Sequence, residues 1–149
     1  MSAADPFELS RFIAAQDRCY DTVVAELRSG RKRSHWIWFV FPQLAGLGHS
    51  PTARRFGISG PAEARAYLAH PVLGARLREC ARILVDAGGG QRRSAEEIFG
   101  FPDHLKVRSS MTLFERVAHD PVDFAAVLDQ FYTGYPDGRE DPATLALLG

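Results

Sequence analysis

HWIWFVF, residues 35–41, is the stretch on which the fold turns. Its aromatic and β-branched side chains favour a strand by propensity. A strand needs a partner, however, and no other run in this chain reads as one. Alone it would carry unsatisfied N–H and C=O groups into the core. The segment is therefore expected to be a short buried helix ending at Pro42, since proline lacks the N–H and disfavours a helical residue before it. Every position except His35 is apolar, which places the segment centrally.

Working outward, the rest of the chain is punctuated by helix starts. Asp5-Pro6-Phe7-Glu8 resembles a capping box with proline at the first helical position. Leu9, Phe12, Ile13, Tyr20, Val23, Val24 and Leu27 then recur at helical spacing, up to a stop at Gly30. Ser59 before Pro61 starts a helix expected to end near His70-Pro71, where His70 caps or packs. Pro71 opens the next, through Leu73, Leu77, Cys80, Ile83 and Leu84, halted by Gly88-Gly89-Gly90. Ser94 with Glu97 is a capping box, and Glu96-Glu97 suit the positive end of a short helix. Pro102-Asp103, Asp120-Pro121 and Asp141-Pro142 start three more, and residues 134–141, GYPDGRED, read as a surface turn. The expected fold is all-α: a compact single multihelical domain over residues 1–149 with short connections.

Composition narrows the class. The 149 residues are 46% hydrophobic and 24% charged, with equal numbers of acidic and basic side chains, the balance of a globular protein. A formal net charge of zero argues against a nucleic-acid partner. Cys19 and Cys80 lack metal or redox spacing and read as small buried hydrophobes. MSAADPFELS has no signal-peptide pattern and no apolar run approaches a membrane span, so the expectation is a cytoplasmic protein without a membrane partner.

Chemistry has two places to reside. In RKRSHWIWFVFPQLAGLGHS, residues 31–50, the basic Arg31, Lys32 and Arg33 precede His35. At a helix N-terminus they would favour an anion, beside Trp36 and Trp38 as flat surfaces for a base or sugar. The alternative is a solvated basic turn leading into core aromatics. Residues 41–50 read as a glycine-rich loop in which Gln43 and Ser50 offer polar groups, or as a tight connection. In residues 99–114, Ser109, Ser110 and Thr112 are poor helix-interior choices. They form a polar stripe with Asp103 and Lys106 that either looks into a cleft or packs closely against another helix. GxSxG and HExxH motifs are absent, the histidines at 35, 49, 70, 104 and 119 show no paired metal spacing, and neither a metal nor a cofactor is implied.

Together DPFELSRFIAAQ, RKRSHWIWFVFPQLAGLG, AYLAHPVLGARLREC and EEIFGFPDHLKVRSSMTLF closely resemble the bacterial domain-of-unknown-function family 1810, through nearly the whole chain. That resemblance implies a compact all-α domain and carries no activity. Some members bear a calpastatin-like label, but no inhibitor repeat is present. The chain is more distantly similar to the NADAR domains, mostly helical proteins linked to ADP-ribose and N-glycoside chemistry.

These readings give three expectations. The first is an enzyme on a phosphorylated nucleotide or sugar, cleaving an ADP-ribose-type N-glycosidic bond. Its candidate catalytic residues are Asp103, Lys106 and His35, with Asp103 as general base or oxocarbenium stabiliser. Lys32 would hold phosphate, Trp36 or Trp38 would stack, and Gln43, Ser50, Ser109, Ser110 and Thr112 would meet the ligand's polar groups. The second is a non-catalytic module that binds a nucleotide or a partner in the same cleft. The third, a nucleic-acid surface, requires exposed tryptophans and stands last.

Overall fold

The computed structural model describes residues 4–91 and 93–149, with the side chains of residues 88–91 left aside. Among the described residues ten helices follow one another: α1 (Ser10–Asp17), α2 (Tyr20–Ser29), α3 (Ile37–Val40), α4 (Pro51–Phe56), α5 (Pro61–Ala69), α6 (Leu73–Gln91), α7 (Ala95–Phe99), α8 (Asp103–Val117), α9 (Val122–Phe131) and α10 (Pro142–Leu148). The fold is all-α. Among the described residues the only β contact is an isolated parallel bridge between Leu44 and Ile58, and no helix is long and apolar enough to cross a membrane.

HWIWFVF forms one helical turn, α3, as the pairing argument requires. A single turn leaves carbonyls without intrahelical donors, and the Phe39 carbonyl accepts from Nε2 of buried Gln16 at 2.7 Å. The same Nε2 reaches the Tyr67 hydroxyl at 3.0 Å, so one amide ties α1, α3 and α5 together.

α8 is the central helix, packed against α3, α5, α7, α9 and α10. It is buried from Val107 through Phe114. A run of ring contacts crosses the core: Phe12 to Tyr67 at 5.1 Å, Tyr67 to Phe114 at 5.4 Å and Phe114 to Phe124 at 5.9 Å. Each such pair contributes about 0.5–1.5 kcal/mol beyond the area it buries.

Local starts behave as expected at Ser94, whose side chain and Glu97 form a reciprocal capping box. Asp141 accepts from the N–H groups of Ala143 and Thr144. His70 Nδ1 accepts from the N–H groups of Val72 and Leu73.

Four expectations are corrected. The first helix is broken into α1 and α2 at Arg18-Cys19, where Cys19 leaves the helical region at φ −147°. A helix unforeseen in the sequence, α4, follows Ser50, whose hydroxyl accepts from Ala53 N–H at 3.1 Å. Ser50 is thus an N-cap with proline behind it. α6 runs on through Gly88–Gly90 to Gln91. The start expected at Asp5 is displaced to Ser10, with the Asp5 carboxylate accepting from the N–H groups of Leu9 and Ser10. Residues 134–141 form the surface turn expected, and Arg108 on α8 holds it. The Arg108 guanidinium donates to Asp137 Oδ1 at 2.7 Å and to the carbonyls of Gly138, Arg139 and Glu140.

Candidate functional site

The basic turn is organised by a residue that the sequence did not single out. α2 ends at Gly30 in the left-handed region, φ 72°, and Arg31 N–H returns to the Glu26 carbonyl at 3.1 Å. This reversal sets the Glu26 carboxylate under residues 33–36. It accepts from Arg33 N–H at 2.9 Å, Ser34 N–H at 3.0 Å, Ser34 Oγ at 2.6 Å and Trp36 Nε1 at 2.9 Å. Burial works against the charged form, but these hydrogen bonds outweigh it and bring the carboxyl down to about 2. The anion expected at this turn is therefore Glu26 itself. Trp36 is 1% exposed with its indole nitrogen committed, so it forms core and has no free face for a ligand.

Lys32 turns inward from the same segment. Its N–H donates to the Ile98 carbonyl at 2.7 Å, and its ammonium lies 2.8 Å from Asp103 Oδ2 with a side chain only 7% exposed. Lys106 takes the other oxygen, Oδ1, at 3.1 Å. Residues 31–38 and 103–106 therefore meet, through an ion pair that joins the basic turn to the start of α8. Both ammonium groups also face rings: Lys32 Nζ is 5.4 Å from the Trp36 centroid and Lys106 Nζ is 4.0 Å from that of Trp38. Burial pushes the Asp103 carboxyl up, but Lys32 and Lys106 together hold it below its ordinary range. A carboxylate held this way by two cations is a weak proton acceptor.

Around Trp38 the loop is closely packed. A Cβ on Gly48 would lie 3.6 Å from Trp38 Cζ3, 3.5 Å from Gln43 Nε2 and 2.8 Å from Ala53 Cβ. Gln43 is thus buried against the loop, and its carbonyl accepts from Ile58 N–H at 2.9 Å. Its expected role towards a ligand is replaced by a packing role.

The polar stripe of α8 serves the C-terminal segment. Ser109 Oγ bonds to Leu105 O at 3.1 Å and to Asp141 Oδ2 at 2.7 Å. Thr112 Oγ1 donates to Arg108 O at 2.8 Å and accepts from Asp141 N–H at 2.9 Å. The Ser110 hydroxyl is fully buried and has no hydrogen-bond partner. None of these hydroxyls is exposed: Ser109 and Thr112 are bonded to Asp141, and Ser110 is fully buried. The second of the two alternatives, close packing, describes this helix.

His35 lies elsewhere. In the segment before α3, which bends at Ser34 and His35, exposure alternates: Arg31, Arg33 and His35 are exposed, while Lys32 and Ser34 are half-buried. His35 lines a pocket of about 570 Å³ with Ala14, Ala15, Arg18, Cys19, Phe39, Arg55 and Phe56. Asp103, Lys106 and Lys32 are not part of that lining, so the expected catalytic residues divide between two places. Phe39 and Phe56, 5.3 Å apart between centroids, give the pocket an apolar floor, and Arg18, Arg55 and His35 give it a cationic rim. Burial pushes the Cys19 thiol up, with Glu26 adding to the effect, so the thiol stays protonated. The signal for Arg55 was present in the sequence: Ser50-Pro51 starts a helix, and Arg54-Arg55 fall in its last turn.

A family model for a protein of unknown function, DUF1810, matches residues 6–148. The chain belongs to this family. This DUF1810 chain is also similar to the conserved hypothetical protein Rv1873 of Mycobacterium tuberculosis, known from a crystal structure. The two share 56% identity over 97% of this chain and 98% of that one, with a TM-score of 0.89. No curated protein matches the sequence. Neither match is to a NADAR domain.

Proposed function

We propose that this DUF1810 protein is a non-catalytic binding module for a small anion with a planar apolar part, a nucleotide being the class that combines the two. The supporting observation is the lining of the His35 pocket: Arg18, Arg55 and His35 around Phe39 and Phe56, with no carboxylate among them. Guanidinium groups pair bidentately with phosphate, and the aromatic floor accepts a base. The volume is that of an ordinary small-molecule site. N-glycoside cleavage would need a carboxylate beside the sugar, whereas Asp103 is bound by Lys32 and Lys106 outside this pocket.

A thermal-shift screen against AMP, ADP, ADP-ribose, NAD and simple sugar phosphates tests this reading. A ligand at a hundredfold excess over its Kd stabilises the folded state by about 2.7 kcal/mol. The nucleotides should raise the melting temperature, and Arg18→Ala and Arg55→Ala should each remove the shift while Asp103→Asn keeps it. No shift with any of these ligands at millimolar concentration would contradict the reading.

A further inference from the structure

Arginine pairing divides the molecule into two parts. Arg11, Arg76, Arg82, Arg108, Arg116 and Arg139 each hold a carboxylate. Among the described residues the ion pairs leave out Arg65 on α5 and a group of five, Arg18, Arg31, Arg33, Arg54 and Arg55. The sequence explains the division: no Asp or Glu occurs between Glu26 and Glu63. Of the two acids that bound the gap, Glu63 is paired with Arg11, whereas Glu26 is held by the neutral donors Ser34 and Trp36 and keeps its charge beneath the turn. Asp17, next to Arg18, is held by Arg76. Glu8 remains beside the Arg54 end. Against these five arginines stand the unpaired carboxylates of Glu8, Asp21 and Glu26, so this face of a neutral chain keeps an excess of positive charge.

Arg31, Arg33 and His35 are the exposed side chains of the short segment that leads into α3. The last of them, His35, lines the pocket, where Arg18 and Arg55 complete the rim over Phe39, and Arg54 precedes Arg55 on α4. A mononucleotide would use the pocket cations and leave Arg31 and Arg33 without a role. A polymer with one phosphate per unit and bases free to turn aside uses both these arginines and the pocket. Resting on the pocket reading above, we infer that the ligand is a single-stranded nucleic acid, with one base against Phe39 and the neighbouring phosphates on Arg31, Arg33 and Arg55. A duplex does not fit, because its stacked bases cannot enter the pocket. Zero net charge is no obstacle, since the field that a phosphate meets is that of the nearby surface.

Fluorescence anisotropy with labelled octathymidylate and octauridylate, over a range of salt concentrations, tests the inference, with TMP and UMP measured by calorimetry alongside. The expected result is at least tenfold tighter binding of an oligonucleotide than of its mononucleotide at low salt, with log affinity falling linearly with log salt. The Arg31→Ala/Arg33→Ala double variant, altered only at exposed side chains, should lower the slope by about 1.4 and leave mononucleotide affinity unchanged. Equal affinity for oligonucleotide and mononucleotide, an unchanged slope in the double variant, or equally tight binding of a duplex would each overturn the inference while the pocket reading stands. Failure of the mononucleotides as well as the oligonucleotides would remove both.

Discussion

The Glu26 carboxylate accepts the Trp36 indole N–H at 2.9 Å, and this bond determines what the basic turn can do. A helix-terminal nest of N–H groups flanked by arginine and lysine is attractive to any anion. Here the chain supplies that anion from one turn before Gly30, so the N–H groups of the turn are taken and only its exposed side chains face solvent.

Replacing Glu26 by Ala leaves the N–H groups of Arg33 and Ser34 and the Trp36 indole without their charged acceptor. A stability loss of about 3 kcal/mol is expected, read from urea denaturation, together with a red shift of tryptophan emission as the turn loosens. Acid titration gives a second readout. Glu26 titrates at about 2 in the folded protein against an ordinary 4.5. A depressed folded-state value means that its contribution is complete above about pH 4.5 and lost as pH falls towards 2. Glu26→Gln should flatten the stability profile in that window relative to wild type and leave it parallel above pH 5.

Asp103→Asn should cost about 2 kcal/mol, because the nearly buried Lys32 ammonium loses the carboxylate that compensates it. Lys106→Ala should cost less, since its ammonium is more exposed and its pair lies within one helix turn. Neither change should alter ligand binding in the His35 pocket. Differential scanning calorimetry and ligand titration on the same variants check both statements.

The three α8 hydroxyls should respond with different signs. Ser110→Ala removes a buried group that has no partner and should raise stability by about 1 kcal/mol. Thr112→Val removes the acceptor of the Asp141 N–H and should lower stability by about 1–2 kcal/mol. Ser109→Ala should fall between them, keeping the helix and losing one bond to Asp141. Chemical denaturation of the three variants would decide it, and a stabilised Ser110→Ala protein with unchanged ligand affinity would exclude a sugar-orienting role.

Where α5 meets α6, Gly74 leaves no room for a side chain: a Cβ would overlap the Leu68 carbonyl oxygen. Gly74→Ala should destabilise by about 3 kcal/mol. Gly134→Ala, at a position with open space, should be within about 0.5 kcal/mol of wild type. Melting temperatures of the pair provide the comparison.

These features differ in how far the sequence reveals them. Helix starts were legible at Ser94, Asp120 and Asp141 because a cap is a contact over three residues. The α3 helix was legible by elimination, since an unpaired strand cannot be buried. The break at Arg18-Cys19 has no proline or glycine to announce it, and what fixes its surroundings is distant, including the pairs of Gln16 with Phe39 and of Asp17 with Arg76. The role of Glu26 depends on a chain reversal at Gly30, so the acid meets residues up to ten positions away that no helical periodicity links to it. Lys32 and Asp103 were both noticed as residue types, and their meeting follows only from packing α8 at the centre. Ser109 and Thr112 were read correctly as misfits in a helix, but the group that satisfies them lies in the segment after Tyr132.

On the function proposed above, the His35 pocket takes the ligand and the Lys32–Asp103–Lys106 cluster does not. Titrating AMP into isotopically labelled protein and following backbone amide shifts by two-dimensional NMR tests it directly. Saturable shifts are expected at Ala14, Ala15, Arg18, His35, Phe39 and Arg55, with Asp103 and Lys106 unmoved. Shifts centred on Lys32, Asp103 and Lys106, or none at saturating concentration, would contradict it.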